Sequence, residues 1–470
     1  MIMRKKLYLL LSATAVFAAL MTGCKTPAVN PGPDDEEGKT QEPAPLNLSL
    51  VINDDWVWEG KPELTIHAEN PNKESITAEA KAVITTDKKA AVTTLTRSVE
   101  LPGESEQDIV LTTTEDLPAG FYRATCTVNN QWVTLQLKNG KISSFVFGIS
   151  PTKIVSAPDK QADYDAFWDA AKAQLAAIDM KAELTEITSR STASRKVYLV
   201  EMQSVPDGPE GEPVTVRGYY LQPQDGKKHP VIVHFFGYDD QKPATKLSCP
   251  SGGSSQEWAE LYFSNRGQMI NNRPASLRVD DGKGDFVNIY GDWFAYSFGK
   301  KDSYYYRGAF MDCVQAVRFL ATRPECDMNN VFAEGSSQGG AFSYACAALS
   351  DIPLRAIAPC VAFLGDFPDY FDIVTWPGDT ARKNKGSMSD EEMYAFLSYF
   401  DTKNLATRIS CPVIACSGLQ DGTCPPHTNI APFNNLPNTD KQYYYYPKLQ
   451  HDIPGNWQSL WEKFFRDRIQ

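Results

Sequence analysis

Residues 331–341 read VFAEGSSQGGA. An apolar run leads into a turn that holds Gly335, Ser337 and Gly339, and an Ala-rich segment continues to Leu349. This order is typical of a nucleophile elbow, in which a serine lies on a sharp turn between a strand and a helix. The two glycines are needed because side chains at their positions would collide where strand and helix converge. The pattern therefore predicts that Ser337 is a catalytic nucleophile.

The sequence on both sides of this turn alternates between buried strands and helices. VIVHFF (231–236) and PVIACSG (412–418) are predicted strands, while 163–178 and 310–324 carry apolar residues at helical spacing. Such alternation predicts a mostly parallel sheet with helices on both faces. Together with the elbow, it predicts an α/β-hydrolase fold for residues 151–470.

A serine nucleophile needs a base, and in this fold the base follows the nucleophile and the acid along the chain. Two histidines lie after Ser337. His451 follows the strand-like QYYYYP (442–447), where the last strand of the fold would deliver its base. His427 lies in a Pro-Pro turn only six residues beyond the best acid candidate, Asp421, with no strand between them, and is the weaker alternative. The sequence therefore predicts His451 as the base.

The acid should follow a buried strand directly. Asp421 ends PVIACSGLQD and meets this condition, so it is the predicted acid. Asp366 and Asp369 follow an earlier strand and are the fallback candidates. Asp452 is adjacent to His451 and cannot easily turn to the far nitrogen of that ring.

An oxyanion hole needs two backbone N–H donors. One comes from the residue after the nucleophile, here Gln338, and the other from the loop after an early strand. Gly237 and Tyr238 follow the strand 231–236, so the Tyr238 N–H is the predicted second donor. His234 lies within that strand and is interpreted as a structural histidine.

Residues 46–148 have a different periodicity. Apolar and polar residues alternate in short runs such as ITAEAKAVITT, and Pro, Gly, Asn and Asp mark the turns between them. This pattern predicts an antiparallel β-sandwich of immunoglobulin-like type. We interpret it as a spacer or packing module, with carbohydrate binding by exposed Trp56, Trp58 or Trp132 as the alternative.

The first 23 residues have the pattern of a secretory signal. Three basic residues precede an apolar run (7–20) that is too short to span a bilayer of ~30 Å. The sequence LMTGC that follows resembles the bacterial lipobox, which implies that Cys24 carries the lipid. An ordinary cleaved signal with an incidental cysteine is the alternative.

Residues 24–45 are rich in Pro, Gly and acidic side chains and are predicted to be a flexible linker. Their acidic cluster resembles the surface-export signal of Bacteroidota lipoproteins, although a solvated linker explains it equally well. We therefore expect a lipid-anchored protein of the cell envelope, located at the outer membrane on its periplasmic or surface face.

Composition excludes several classes. The chain has 470 residues, with 46 Lys+Arg against 58 Asp+Glu and a formal net charge of −12, so nucleic acid is not an expected partner. The mean hydropathy of −0.36 argues against a polytopic membrane protein. The sequence has no Cys-x-x-Cys pair, so a zinc site is not expected. The cysteines other than Cys24 are expected to be free and buried.

Four motifs together resemble one known family. They are Asn265-Arg266-Gly267-Gln268, Gly335-Ser336-Ser337-Gln338-Gly339, Asp421-Gly422-Thr423-Cys424-Pro425-Pro426 and His451. They are similar to the RGQ, GxSQG, D-x-x-CPP and His-Glu motifs of the acetyl xylan esterase and cephalosporin C deacetylase family, carbohydrate esterase family 7. The resemblance covers about 151–470. This chain departs from the family at Asn265, Met269, His427 and Asp452.

The resemblance implies a serine esterase that removes O-acetyl groups from sugars such as xylan or xylo-oligosaccharides, with no metal or organic cofactor. It also implies that Arg266 supports loops by charge-assisted hydrogen bonds and that a homo-oligomer can form. Two rivals stay open, namely a secreted peptidase of the prolyl oligopeptidase type and a non-catalytic glycan-binding lipoprotein. The RGQ and CPP segments, and the lack of a propeller-sized N-terminal domain, count against the peptidase.

Overall fold

The computed structural model describes most of the chain after residue 42, namely residues 43–52, 54–238, 249–268, 270 and 290–470. The predicted signal peptide (1–23) and the predicted lipidation site Cys24 lie outside the described residues. Within these ranges no helix is both long enough and apolar enough to cross a membrane.

The first part of the described chain consists of β-strands. They are β1 (Asn47–Val51), β2 (Val57–Trp58), β3 (Glu63–Asn70), β4 (Ile76–Thr86), β5 (Ala91–Leu101), β6 (Ser105–Thr112), β7 (Gly120–Val128), β8 (Gln131–Trp132), β9 (Leu135–Leu137), β10 (Gly140–Ile142) and β11 (Ser144–Ile149). One sheet has the order β1-β3-β6 and a second has the order β2-β11-β7-β4-β5, with β8 paired to β7. The small β10-β9 sheet completes this β-sandwich.

The alternating sequence pattern places one face of each strand in the core. In β4, Ala78, Ala80, Ala82 and Ile84 are buried while the residues between them are exposed or half-buried. The Tyr122 hydroxyl in β7 donates a 2.8 Å hydrogen bond to the Pro118 carbonyl, as in the tyrosine corner of immunoglobulin-like domains. An immunoglobulin-like sandwich was the fold predicted for this part.

The three tryptophans named as possible sugar contacts differ in exposure. Trp56 is 1% exposed because it packs against Phe145, with ring centroids 5.3 Å apart. Trp58 is half-buried against Phe147, while Trp132 is 58% exposed. The expectation of an exposed Trp56 is therefore wrong, because this side chain belongs to the sandwich core.

A second, larger sheet follows. Its strands are β12 (Glu183–Glu186), β13 (Arg195–Ser204), β14 (Val214–Pro223), β15 (His229–Phe235), β16 (Ala259–Ser264), β17 (Cys326–Ser336), β18 (Ala356–Cys360), β19 (Val413–Gly418) and β20 (Lys441–Tyr446). Their order is β12-β13-β14-β16-β15-β17-β18-β19-β20. The pairings from β16 to β20 are parallel and those from β12 to β16 are antiparallel, as in an α/β-hydrolase fold with a mostly parallel sheet.

Helices connect and cover these strands. They are α1 (Tyr164–Ala177), α2 (Tyr305–Ala321), α3 (Gln338–Leu349), α4 (Phe367–Ile373), α5 (Gly378–Asn384), α6 (Asp390–Leu397), α7 (Thr402–Ala406), α8 (Pro426–Asn434) and α9 (Trp457–Arg466), with a short 3-10 helix at Pro151–Lys153. The predicted helices correspond to α1 and α2. The segment around His427, predicted as a turn, begins α8 instead, since proline is well suited to the first position of a helix.

The cysteines within the described ranges are all buried, and none forms a disulfide. They fill apolar positions in strands and helices, where a thiol packs as a small hydrophobic group. The two sulfur atoms of Cys360 and Cys416, on neighbouring parallel strands, are 3.4 Å apart.

Candidate active site

Ser337 lies at the sharp turn between β17 and α3. Its backbone has φ 56° and ψ −120°, a conformation that a residue with a side chain rarely adopts. The Ser337 N–H donates to the Cys360 carbonyl at 2.9 Å, and its own carbonyl accepts from the Phe363 N–H at 2.9 Å. These bonds to the segment after the next strand hold the strained turn in place.

The glycines on either side of Ser337 are required by close backbone contacts. A Cβ added at Gly335 would lie 2.5 Å from the carbonyl atoms of Gly339. One added at Gly339 would lie 2.4 Å from the carbonyl oxygen of Phe235 at the end of β15. Neither position can accept a side chain unless the backbone moves, which is the steric reason for the G-x-S-x-G spacing.

The structure brings the predicted nucleophile, base and acid together. His451 Nε2 is 3.0 Å from Ser337 Oγ, and His451 Nδ1 is 2.7 Å from Asp421 Oδ2. The other oxygen of Asp421 accepts hydrogen bonds from the backbone N–H groups of Thr423 and Cys424, both at 2.8 Å. Asp421 is therefore fixed in one orientation, with a single oxygen left for the histidine ring.

Parallel strands explain how residues distant in sequence meet. β17 and β19 end at the same edge of the sheet with only β18 between them, so Ser337 and Asp421 leave the sheet close together. His451 follows β20, the next strand along this edge. Ligand and catalytic groups lie at this carboxyl edge in open α/β sheets.

The fallback acids take part in other contacts. Asp366 pairs with Lys403 at 2.9 Å. Asp369 forms ion pairs with Lys88 and His427. The two carboxylates thus pair with Lys403, Lys88 and His427 rather than with His451.

Asp452 points away from the site as well. Its carboxylate is 2.6 Å from the Lys138 ammonium on the β-sandwich. It also accepts a hydrogen bond from the Ile453 N–H at 2.9 Å. The contact with Lys138 and the direct sequence neighbourhood of His451 agree with the prediction that Asp452 is not the acid.

The alternative base, His427, lies in a buried ion network. Its Nδ1 is 2.7 Å from Asp87 of the β-sandwich, and its Nε2 is 2.9 Å from Asp369. Burial alone would lower the pKa of His427, but the two carboxylates outweigh burial and raise it to about 9. Both ring nitrogens are thus directed at carboxylates, which leaves neither for a serine.

Among the described residues, the side chains of Asp366, Asp369 and His427 could bring metal-ligand atoms within 4.8 Å of one another. Lys88 and Lys403 already pair with the two carboxylates. We therefore interpret this group as a charge network that joins the sandwich to the larger sheet.

The predicted oxyanion donors lie on two sides of Ser337. Gln338 is the first residue of α3, so its N–H has no partner within the helix. On the other side, a Cβ added at Gly237 would lie 3.7 Å from the Ser337 Cβ, which places the loop after β15 beside the nucleophile. The Tyr238 hydroxyl donates to Asp292 at 2.8 Å and thereby anchors that loop. The donor roles of Gln338 and Tyr238 stay predictions.

The side chain of Gln338 has a separate task, which the sequence did not reveal. Its amide Nε2 donates to the Tyr306 hydroxyl at 2.8 Å, and its Oε1 accepts from Gln268. Gln268 and Tyr306 thus hold the start of α3 from inside the protein. The RGQ motif, which holds Gln268, was the sequence signal for this support.

Arg266 is buried among acidic partners. Its guanidinium donates to Asp312 at 2.7 Å, to Asp207 at 2.9 Å and to the Val205 carbonyl at 3.0 Å. Burial alone would lower the pKa of Arg266, but Asp312 outweighs this and raises the pKa well above its usual value. Gly267 follows with φ 69°, a left-handed conformation that glycine adopts without strain. These contacts are loop-supporting hydrogen bonds.

His234 bridges two half-buried carboxylates. Its Nδ1 is 2.7 Å from Glu334 and its Nε2 is 3.3 Å from Glu260. Burial would lower the pKa of His234, yet these partners raise it to about 9. The ring stacks on Tyr262 with centroids 4.3 Å apart, so His234 joins neighbouring strands.

Comparison with known proteins points to one family. A family model described as acetyl xylan esterase (AXE1) matches residues 153–468. The curated acetyl esterase Axe7A of Xylanibacter ruminicola is 26% identical over 304 residues, which cover 61% of this chain and 63% of that protein. The chain thus spans less than two thirds of the length of this relative.

Solved structures agree with this fold. The acetyl xylan esterase from Paenibacillus sp. R4 is 26% identical with a TM-score of 0.57, and the match covers 68% of this chain and 98% of the Paenibacillus chain. Acetyl xylan esterase 1 from Thermoanaerobacterium sp. JW/SL YS485 is 24% identical with a TM-score of 0.55 over the same shares of both chains.

Proposed function

Because the chain belongs to the acetyl xylan esterase family, we propose that it hydrolyses O-acetyl esters of sugars such as acetylated xylan or xylo-oligosaccharides. The observation that carries the proposal is the unbroken contact chain from Ser337 through His451 to Asp421, with lengths of 3.0 and 2.7 Å. This chain is the arrangement that activates a serine hydroxyl for acyl transfer.

The first half of the reaction forms an acetyl-enzyme. Ser337 Oγ attacks the acetyl carbonyl carbon while His451 Nε2 takes the hydroxyl proton. Asp421 stabilises the imidazolium that results. The negative charge on the former carbonyl oxygen is stabilised by the N–H groups of Gln338 and Tyr238. His451 then gives its proton to the departing sugar oxygen, and the bond between that oxygen and the acetyl carbon breaks.

The second half releases acetate. A water molecule loses a proton to His451 as its oxygen attacks the carbonyl carbon of the acetyl group on Ser337. The same N–H groups stabilise the second oxyanion. His451 then returns the proton to Ser337 Oγ, and acetate leaves.

Aromatic residues near the nucleophile favour a substrate with a small acyl group. Phe363, whose N–H bonds to the Ser337 carbonyl, stacks on Trp376 with centroids 5.0 Å apart. Tyr238 contacts both rings edge-on, at 6.2 and 5.6 Å. We propose that the half-buried rings of Tyr238 and Trp376 in this cluster contact the methyl of the acetyl group.

Replacing Ser337 with Ala tests the proposal. We expect kcat for p-nitrophenyl acetate to fall roughly 10⁶-fold, because the members of a catalytic triad act together. Acetate release from acetylated xylan, xylo-oligosaccharides, glucose pentaacetate and cephalosporin C would identify the substrate class. Retained turnover in the Ser337→Ala variant would refute the nucleophile assignment, and cleavage of Ala-Pro substrates without acetate release would favour the peptidase rival.

We also propose that Cys24 carries a lipid anchor, which supports action at a membrane surface of the cell envelope. The LMTGC sequence and the basic, apolar segment before it support this proposal. Incorporation of an alkyne fatty acid into the wild type but not into a Cys24→Ala variant is the expected result. A homo-oligomer stays a prediction, which light scattering of the purified protein would test.

A further inference from the structure

The β-sandwich contacts both loops that deliver the acid and the base. We define the acid loop as residues 419–425, which hold Asp421, and the base loop as residues 447–453, which hold His451. The acid loop bonds to the end of β20, from Leu419 N–H to the Tyr446 carbonyl at 3.0 Å, and to the base loop, from Gln420 N–H to the Leu449 carbonyl at 2.9 Å. Motion of one loop is therefore transmitted to the other.

One side chain connects this pair of loops to the sandwich. The amide oxygen of Gln420 accepts from the Val146 N–H at 2.9 Å, and the amide nitrogen donates to the Val146 carbonyl at 3.0 Å. The same nitrogen donates to the Pro447 carbonyl at 2.9 Å. Gln420 thus joins the sandwich, the acid loop and the base loop through a single amide group.

The position of Val146 explains why this contact is available. In β11, β7 pairs along one side over Ser144–Ile149, while β2 pairs along the other side only at Gly148 and Ile149. The backbone of Val146 therefore lies beyond the end of β2, and none of the described strands pairs with it on that side. Gln420 makes the two bonds that a neighbouring strand would make, so its amide is held in one orientation.

The geometry points to a positioning role, and this inference rests on the proposed function. We propose that Gln420 is a positioning residue through which the β-sandwich holds Asp421 and His451 in register with Ser337. Gln420 precedes Asp421 directly, and Pro447 opens the base loop, which holds His451. The sandwich acts through these loops without touching the substrate.

A second contact between the sandwich and the base loop contributes less to holding that loop. Lys138 of the sandwich pairs with Asp452 at 2.6 Å, but the Lys138 side chain is 77% exposed and that of Asp452 is 43% exposed. Exposed ion pairs contribute little because water and salt screen them. The half-buried Gln420 amide, with three hydrogen bonds, is the stronger connection.

The test replaces Gln420 with Met, which keeps the length of the side chain and removes its hydrogen bonds. The matched control is Gln131→Met. Gln131 makes a similar pair of bonds, to the N–H and carbonyl of Leu46, but entirely within the sandwich. Both variants lose a backbone clamp of the same kind, and only Gln420 touches the catalytic loops.

Two readouts are measured on the full chain, well below the unfolding temperature of each variant. The first is kcat and KM for p-nitrophenyl acetate, and the second is the rate at which a fluorophosphonate probe labels Ser337. For Gln420→Met we expect kcat and the labelling rate to fall by roughly tenfold, because small misplacements of catalytic groups are costly. KM should stay within about twofold, since no substrate contact is removed.

The outcomes separate this inference from the proposed function. A tenfold loss in Gln420→Met with Gln131→Met near wild type supports the positioning role. Wild-type labelling and kcat in Gln420→Met, or an equal loss in Gln131→Met, would overturn it. Probe labelling reports activation of the serine whatever the natural ester is. A wrong substrate class would therefore show in the acetate screen and leave this comparison intact.

Discussion

Replacing His427 with Phe should reduce the fall in the free energy of unfolding that occurs as the pH rises towards 9. His427 is 8% exposed and lies between Asp87 and Asp369, at 2.7 and 2.9 Å, with Lys88 paired to Asp369. Phe121 packs against its ring at 6.3 Å, so a phenyl group is a reasonable steric substitute. The variant removes the titrating group and retains an aromatic ring.

The size of the effect follows from the pKa. Folding raises the pKa of His427 from 6.5 to about 9 because the two carboxylates outweigh burial. A raised pKa stabilises the folded state fully below 6.5, where both states are protonated, and this contribution is lost as the pH rises through 9. The shift corresponds to about 3 kcal/mol, most of which disappears between pH 6.5 and 9.

Urea unfolding at pH 6.5, 7.5 and 9.0, with reductant present, measures the effect. The free energy of unfolding of the wild type should fall by about 2 kcal/mol more over this range than that of the His427→Phe variant. His234, whose pKa is also raised to about 9, is present in both proteins, so its contribution cancels. Equal losses in the two proteins would refute the assignment of this network as a protonated bridge.

Two further substitutions test the architecture of the site. Gly339→Ala should lower kcat more than tenfold or prevent folding, because the new Cβ would lie 2.4 Å from the Phe235 carbonyl oxygen. The control is Gly455→Ala, whose new Cβ would have no atom within 4 Å, and equal activity of the two variants would contradict the steric reason. Arg266→Met should lower the free energy of unfolding by about 3 to 5 kcal/mol, because it leaves buried Asp312 without its cation. Urea unfolding checks this, and a loss below about 1 kcal/mol would contradict it.

Sequence patterns within short segments were sufficient to predict the main strands of this protein and the turn that holds Ser337. The alternation in β4 and the apolar runs that became β15 and β19 depend on side chains within a few residues of one another. The turn at Ser337 was predictable for the same reason, since its two glycines and its flanking strand and helix lie within one short segment. The order of nucleophile, acid and base narrowed the base to two histidines and the acid to a few aspartates.

Contacts between distant segments were decided only in three dimensions. His427 and Asp87 are separated by 340 residues, and Gln420 and Val146 by 274, so no local pattern links them. Nothing in the short segments around His427 and Gln420 indicates these partners. The packing of the sandwich against the catalytic loops buries them and makes a hydrogen-bond partner obligatory. The sequence alone was thus enough to predict the serine, histidine and aspartate that the structure brings together, while the tertiary structure decides which groups of the sandwich contact the loops that hold the acid and the base.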